Sequence, residues 1–69
     1  MYYEAIHDMV RKAAAGQDVS IKTIIEDHGI VETSYYRHLR TGTPWRLKDV
    51  QALSEITGKS TAEILNAIL

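Results

Sequence analysis

The sequence predicts an all-α fold, five short helices packed as a single domain over residues 1–69. Three observations carry this. Apolar residues recur at three- and four-residue spacings in five separate segments, the period of a helix with one buried face, and no segment shows the two-residue alternation of a strand. Glycine, proline and serine stand between those segments, where helices stop and start. The chain also has 69 residues and no cysteine. One small hydrophobic core must therefore supply the stability, and nearly every apolar residue is needed in it.

The first helix is expected over residues 2–15. Ile6, Met9, Val10, Ala13 and Ala14 form one apolar stripe, while Glu4, Asp8, Arg11 and Lys12 lie off it. Gly16 ends the helix. Gln17 and Asp18 turn the chain into Val19, which is placed to staple against Ile24 across a cap at Ser20. Tyr2 and Tyr3 read as packing residues.

The second helix begins at Ser20, a favourable N-cap, and stops at Gly29, which takes the left-handed conformation at little cost. Ile21, Ile24, Ile25 and His28 share one of its faces. The third starts near Thr33 or Ser34 and runs to Thr41, where Gly42, Thr43 and Pro44 end it. Two helices of about eight residues, joined by three or four, cannot lie side by side and cross steeply as a helix-turn-helix. The rotation of the third helix has two solutions. Counting forward from Gly29 turns Tyr35 and Leu39 inward; counting back from Gly42 turns Tyr36 and Leu39 inward. The second is favoured, because it leaves Glu32 in the turn. Ser34 and Arg37 face outward under both counts.

The fourth helix covers Leu47 to Thr57, with Leu47, Val50, Leu53 and Ile56 or Thr57 inward and Gly58 at its end. Its cap position holds Arg46, whose side chain cannot accept a bond from the free N–H groups there. Either the cap is weak or an anion such as phosphate satisfies both. Trp45, the one tryptophan, is expected to pack over the gap between the third and fourth helices; its alternative is an N–H contact to a nucleic-acid backbone. The fifth helix is marked by Ser60 and Glu63 in a capping box, and Ile64, Leu65, Ile68 and Leu69 form its apolar face.

Net charge is −1, which by itself argues against a nucleic-acid partner. The distribution argues otherwise. Residues 33–48 hold Arg37, Arg40, Arg46, Lys48 and His38 and no acid, while all nine Asp and Glu lie elsewhere. Positive charge is thus gathered on the third helix and the loop after it. No apolar run approaches the ~18 to 20 residues of a membrane span, and the N-terminus lacks the basic-then-apolar layout of a signal peptide. A cytoplasmic protein without membrane contact is expected, and the absence of cysteine suits a reducing compartment. His7, His28 and His38 fall on three different helices, with no metal-binding pair and no glycine-rich phosphate loop. Accordingly no catalytic residue, metal, cofactor or small-molecule substrate is expected.

The run Ile21, Gly29, Tyr36, Leu39, Gly42, Pro44, Leu53, Gly58 and Ile64 resembles the lambda-repressor-like helix-turn-helix domain of phage repressors, Cro proteins and Xre regulators. The stretch TSYYRHL followed by TGTPWRLKDVQALSEITGKS is especially similar to small regulators of actinobacterial phages and prophages. This resemblance spans most of the chain. It implies a sequence-specific regulator of transcription, a repressor of the Cro or immunity kind, that inserts the helix at about residues 33–41 into the major groove of double-stranded DNA.

With that helix in the groove, Ser34, Arg37, His38 and Thr41 are the candidates for base edges, since Arg can bond guanine at two atoms and Ser or Thr can bond either partner type. Lys22, Thr33, Tyr35, Arg40, Thr43 and Arg46 are placed for phosphate oxygens. A weak homodimer, firmer on DNA, is expected through Ile64, Leu65, Ile68 and Leu69, because one small domain touches only one half-site. The rival from another class is an antitoxin-like module that chiefly masks a protein partner and binds DNA secondarily.

Overall fold

The helix ends explain where the chain turns. In the computed structural model, which describes residues 1–69, α1 spans Glu4–Gly16, α2 Ile21–Asp27, α3 Glu32–Thr41, α4 Leu47–Thr57 and α5 Thr61–Ile68. Ser20 caps α2 by accepting the Thr23 backbone N–H at 3.1 Å. Ser60 accepts the Glu63 N–H at 3.1 Å while Glu63 accepts from the Ser60 N–H at 3.3 Å, completing the expected box. Each such cap contributes about 1 kcal/mol. Gly42 closes α3 at φ 74°, a conformation that strains any residue with a Cβ. A Cβ there would also stand 2.8 Å from the Tyr2 ring.

Two starts differ from the sequence-based expectation. α1 begins at Glu4, because Tyr3 holds φ 56° and so lies outside the helix. α3 begins at Glu32 rather than at Thr33 or Ser34, so Glu32 is the first helical residue and not part of the turn. Its carboxylate there complements the positive end of the helix.

Ile6, Val10 and Ala14 of α1 meet Ile24 and Ile25 of α2, Ile30 of the turn, Tyr35 and Leu39 of α3, Val50, Ala52, Leu53 and Ile56 of α4, and Ile64 of α5 in one buried cluster. α1 packs along α2, α4 and α5, and α4 along α1, α2 and α5. α3 is held differently. Its only extensive helix neighbour is α2, and its other ties are side chains and the N-terminal strap: Tyr2 N–H donates to Leu39 O at 2.8 Å, and the Tyr3 hydroxyl reaches Gly42 O at 2.9 Å. One face of α3 is consequently left clear of protein.

The fourth and fifth helices carry two corrections. Leu47, expected inward, is 73% exposed at the first position of α4, where the helix has not yet reached the core. Ile64, a candidate for a dimer interface, is fully buried and completes the monomer's own core. No helix is long and apolar enough to cross a membrane.

Candidate nucleic-acid interface

The rotation of α3 is settled by its two tyrosines. Tyr35 is fully buried and Tyr36 is 38% exposed, so the forward count from Gly29 holds and the favoured backward count does not. The reason is packing: Tyr35 is the tyrosine that bonds His7 and meets the Trp45 ring, while Glu32 joins the helix rather than the turn. Tyr35 then fills the core beside Leu39, and its ring meets Tyr36 edge-on at 5.2 Å. Its hydroxyl lies 2.9 Å from His7 Nδ1, the polar tie between α1 and α3. Burial, and secondarily the neighbouring Tyr36, pushes the Tyr35 hydroxyl above its ordinary pKa, so it stays a proton donor. Tyr35 therefore cannot reach a phosphate, contrary to expectation.

His38 is the second correction. Expected on the outer face as a base contact, it is 6% exposed. Its Nδ1–H donates to Thr43 O at 2.7 Å, and its ring stacks on Trp45 at 4.1 Å and 19°. Trp45 packs against the core, its ring against Tyr3, Tyr35 and His38. Its Nε1 is sealed without a hydrogen-bond partner, so the contact to a backbone phosphate is ruled out by geometry. Leaving that donor unpaired costs about 1–3 kcal/mol, set against the area buried by the indole and by its contacts with Tyr3, Tyr35 and His38.

Opposite the buried Tyr35 and Leu39, the exposed positions are Thr33, Arg37 and Arg40, at i, i+4 and i+7. Ser34 and Thr41 flank this row on one side and Tyr36 on the other. Thr33 and Arg40, expected at the margin for phosphates, thus stand at the centre with Arg37. Thr41 Oγ1 donates to Arg37 O at 2.7 Å and lies 2.7 Å from Thr43 Oγ1. With the Thr41 hydrogen engaged, the Thr43 hydroxyl is the donor of that pair, so both hydroxyl hydrogens are used within the chain. Neither has a free donor for DNA without rearranging. The Thr33 and Ser34 hydroxyls, by contrast, form no bond within the protein.

Lys22, Arg37, Arg40, Arg46 and Lys48 are all exposed, and none is in an ion pair: the two salt bridges of the chain join Asp8 to Arg11 and Lys12. Beside α3, between the turn after α2 and the loop into α4, lies a cleft of about 230 Å³ lined by Ser34, Arg37, His38, Thr43, Arg46 and Lys48 among others. Lys48 was not among the expected contacts, although its place in the acid-free stretch could have suggested it. At the cleft's edge, Asp49 accepts the Arg46 backbone N–H at 3.3 Å. That is half of a capping box, with no acceptor from the Arg46 side chain. The Leu47 and Lys48 N–H groups have no partner in the chain.

Of the expected dimer residues other than Ile64, Leu65 is half exposed, Ile68 is partly buried against the core, and Leu69 is fully exposed. No family model, no curated protein and no solved structure matches the chain.

Proposed function

We propose that this chain is a sequence-specific double-stranded DNA-binding regulator of transcription that lays α3 in the major groove. The observation that carries the proposal is the clear face of α3: Thr33, Arg37 and Arg40 in one row, with Ser34 beside them, unpaired with any acid and continuous with Arg46 and Lys48. An α-helix with its side chains is about 10–12 Å across, which fits a groove about 12 Å wide. In this arrangement Arg37 is placed for the O6 and N7 of a guanine, Thr33 and Ser34 for either partner type, and Arg40, Arg46, Lys48 and Lys22 for phosphates. The resemblance of the helix-turn-helix stretch to small phage and prophage regulators supports a repressor of the Cro or immunity kind, acting by occupying an operator.

The half-exposed Leu65 on α5, with Leu69 just after it, supports a second element of the proposal, weak self-association that sets two copies of α3 about one helical turn apart on a palindrome. An apolar patch this small gives a micromolar dimer at best. Selection of bound duplexes from a random pool tests the whole reading. The proposal expects an enriched site with inverted symmetry; a pool that shows no enrichment after several rounds would contradict sequence-specific binding and favour the protein-masking role.

A further inference from the structure

His38 is a buried titratable group that the row of α3 contacts does not use. Its Nδ1 carries a proton, because the partner at 2.7 Å is the Thr43 carbonyl, which can only accept. Its Nε2 has no partner in the protein. Nor is that nitrogen sealed off, since the one side-chain polar atom enclosed without a partner is Trp45 Nε1. The ring is one wall of the cleft beside α3, so Nε2 is the polar edge it offers there.

The charged groups facing this ring are Arg37 from α3, Arg46 from the loop, and Lys48 and Asp49 from α4; the turn contributes only Gly29, Ile30 and Val31. Three cations thus face one carboxylate, and that carboxylate is partly engaged by the Arg46 N–H. The unpaired Leu47 and Lys48 N–H groups begin α4 at the same place. The Arg37, Arg46 and Lys48 side chains and these two N–H groups all attract an anion.

We infer that this cleft is an oxyanion site for a phosphate of the duplex backbone, and that His38 binds it through Nε2 in the doubly protonated form, so that DNA binding takes up a proton at His38. The inference rests on the duplex-binding proposal. With Nδ1–H fixed on a carbonyl, a neutral ring presents a lone pair at Nε2 and repels a phosphate oxygen. A protonated ring presents an N–H and a charge. The phosphate also offsets Arg37, Arg46 and Lys48, which makes the second proton favourable.

Trp45 supplies the readout. It is the only tryptophan and stacks on His38 at 4.1 Å, where an imidazolium quenches indole fluorescence. Trp45 emission is followed from pH 8 to pH 6 for the protein alone, with a random duplex at low salt, and with inorganic phosphate, while duplex anisotropy gives affinity. His38→Gln is the comparison, since its amide is neutral at every pH; circular dichroism checks its fold, and the shared His7 and His28 cancel. The quenching step should move to higher pH with duplex, and wild type should gain about threefold or more in affinity over His38→Gln as pH falls from 8 to 6. Arg46→Ala, which leaves His38 in place, should shrink that movement. Duplex binding with an unmoved step, and the same pH dependence in His38→Gln, overturns the inference and leaves the functional proposal standing. Absence of duplex binding at every pH overturns the functional proposal. In that case a step moved by inorganic phosphate alone sustains an oxyanion site for free phosphate, and an unmoved step overturns both.

Discussion

α1 and α3 both carry basic residues on an exposed face, yet the two surfaces are built differently. On α1, Asp8 stands one turn before Arg11 and Lys12 and pairs with both; Lys12 first and then Arg11 hold its carboxyl below the usual carboxylate range. On α3, Arg37 and Arg40 form no ion pair, and neither do Arg46 and Lys48 after it. Each of the two helices carries two Lys or Arg residues. Cations neutralised within a helix serve solubility and a little stability, whereas unpaired cations aligned along one face are available to a partner of opposite charge. The same contrast holds inside the molecule, where α1 anchors three neighbouring helices and α3 is fastened mainly by α2 and by the aromatic residues behind it.

The contrast can be broken most forcefully from the α1 side. Ile6 is fully buried, so Ile6→Ala should lower unfolding free energy by about 2–5 kcal/mol, measured by urea denaturation. Next is Arg37→Ala, expected to cost on the order of 1–3 kcal/mol in binding to a selected site while stability moves by no more than about 0.5 kcal/mol. Equal losses on selected and random duplex would make Arg37 a phosphate contact. Tyr35→Phe, which removes the bond to His7, should cost about 1 kcal/mol of stability and leave the salt dependence of duplex binding unchanged. A flatter salt dependence would instead put the Tyr35 hydroxyl on the DNA.

The smallest effect belongs to Asp8. A carboxyl whose folded pKa is lowered stabilises the fold above its unfolded pKa, and the gain is lost as pH falls through the folded value. Asp8→Asn should therefore lower Tm slightly at pH 7 and not at pH 2. The pair is exposed, so the difference is small; a larger one at pH 2 would reverse the sign.

The helices that make the scaffold were legible because their signals are local. Ser20 caps and Ser60 with Glu63 boxes its helix as read from spacing alone, and the Ile6, Val10, Ala14 stripe is the one buried. What stayed illegible depended on contacts between distant residues. Tyr35 and Tyr36 are neighbours of one type, and which turns inward is decided by His7 and Trp45, from other segments. His38 looked like a surface residue because its two partners, the Thr43 carbonyl and the Trp45 ring, come from the loop beyond its helix. Leu47 matched an apolar period that the core does not extend far enough to use. Arg37 and Ser34 were robust for a geometric reason: they face away from the core under either rotation.

The distinction between paired and free cations is tested most directly by the salt dependence of binding to a random duplex, compared for wild type, Arg40→Ala and Arg11→Ala. Each phosphate contact adds about 0.9 to the slope of log affinity against log salt. Arg40→Ala should lower that slope by about one, and Arg11→Ala, whose cation is already held by Asp8, should leave it unchanged. Equal slopes for all three proteins, or a loss with Arg11→Ala as large as with Arg40→Ala, would contradict the assignment of the α3 face as the surface that meets DNA.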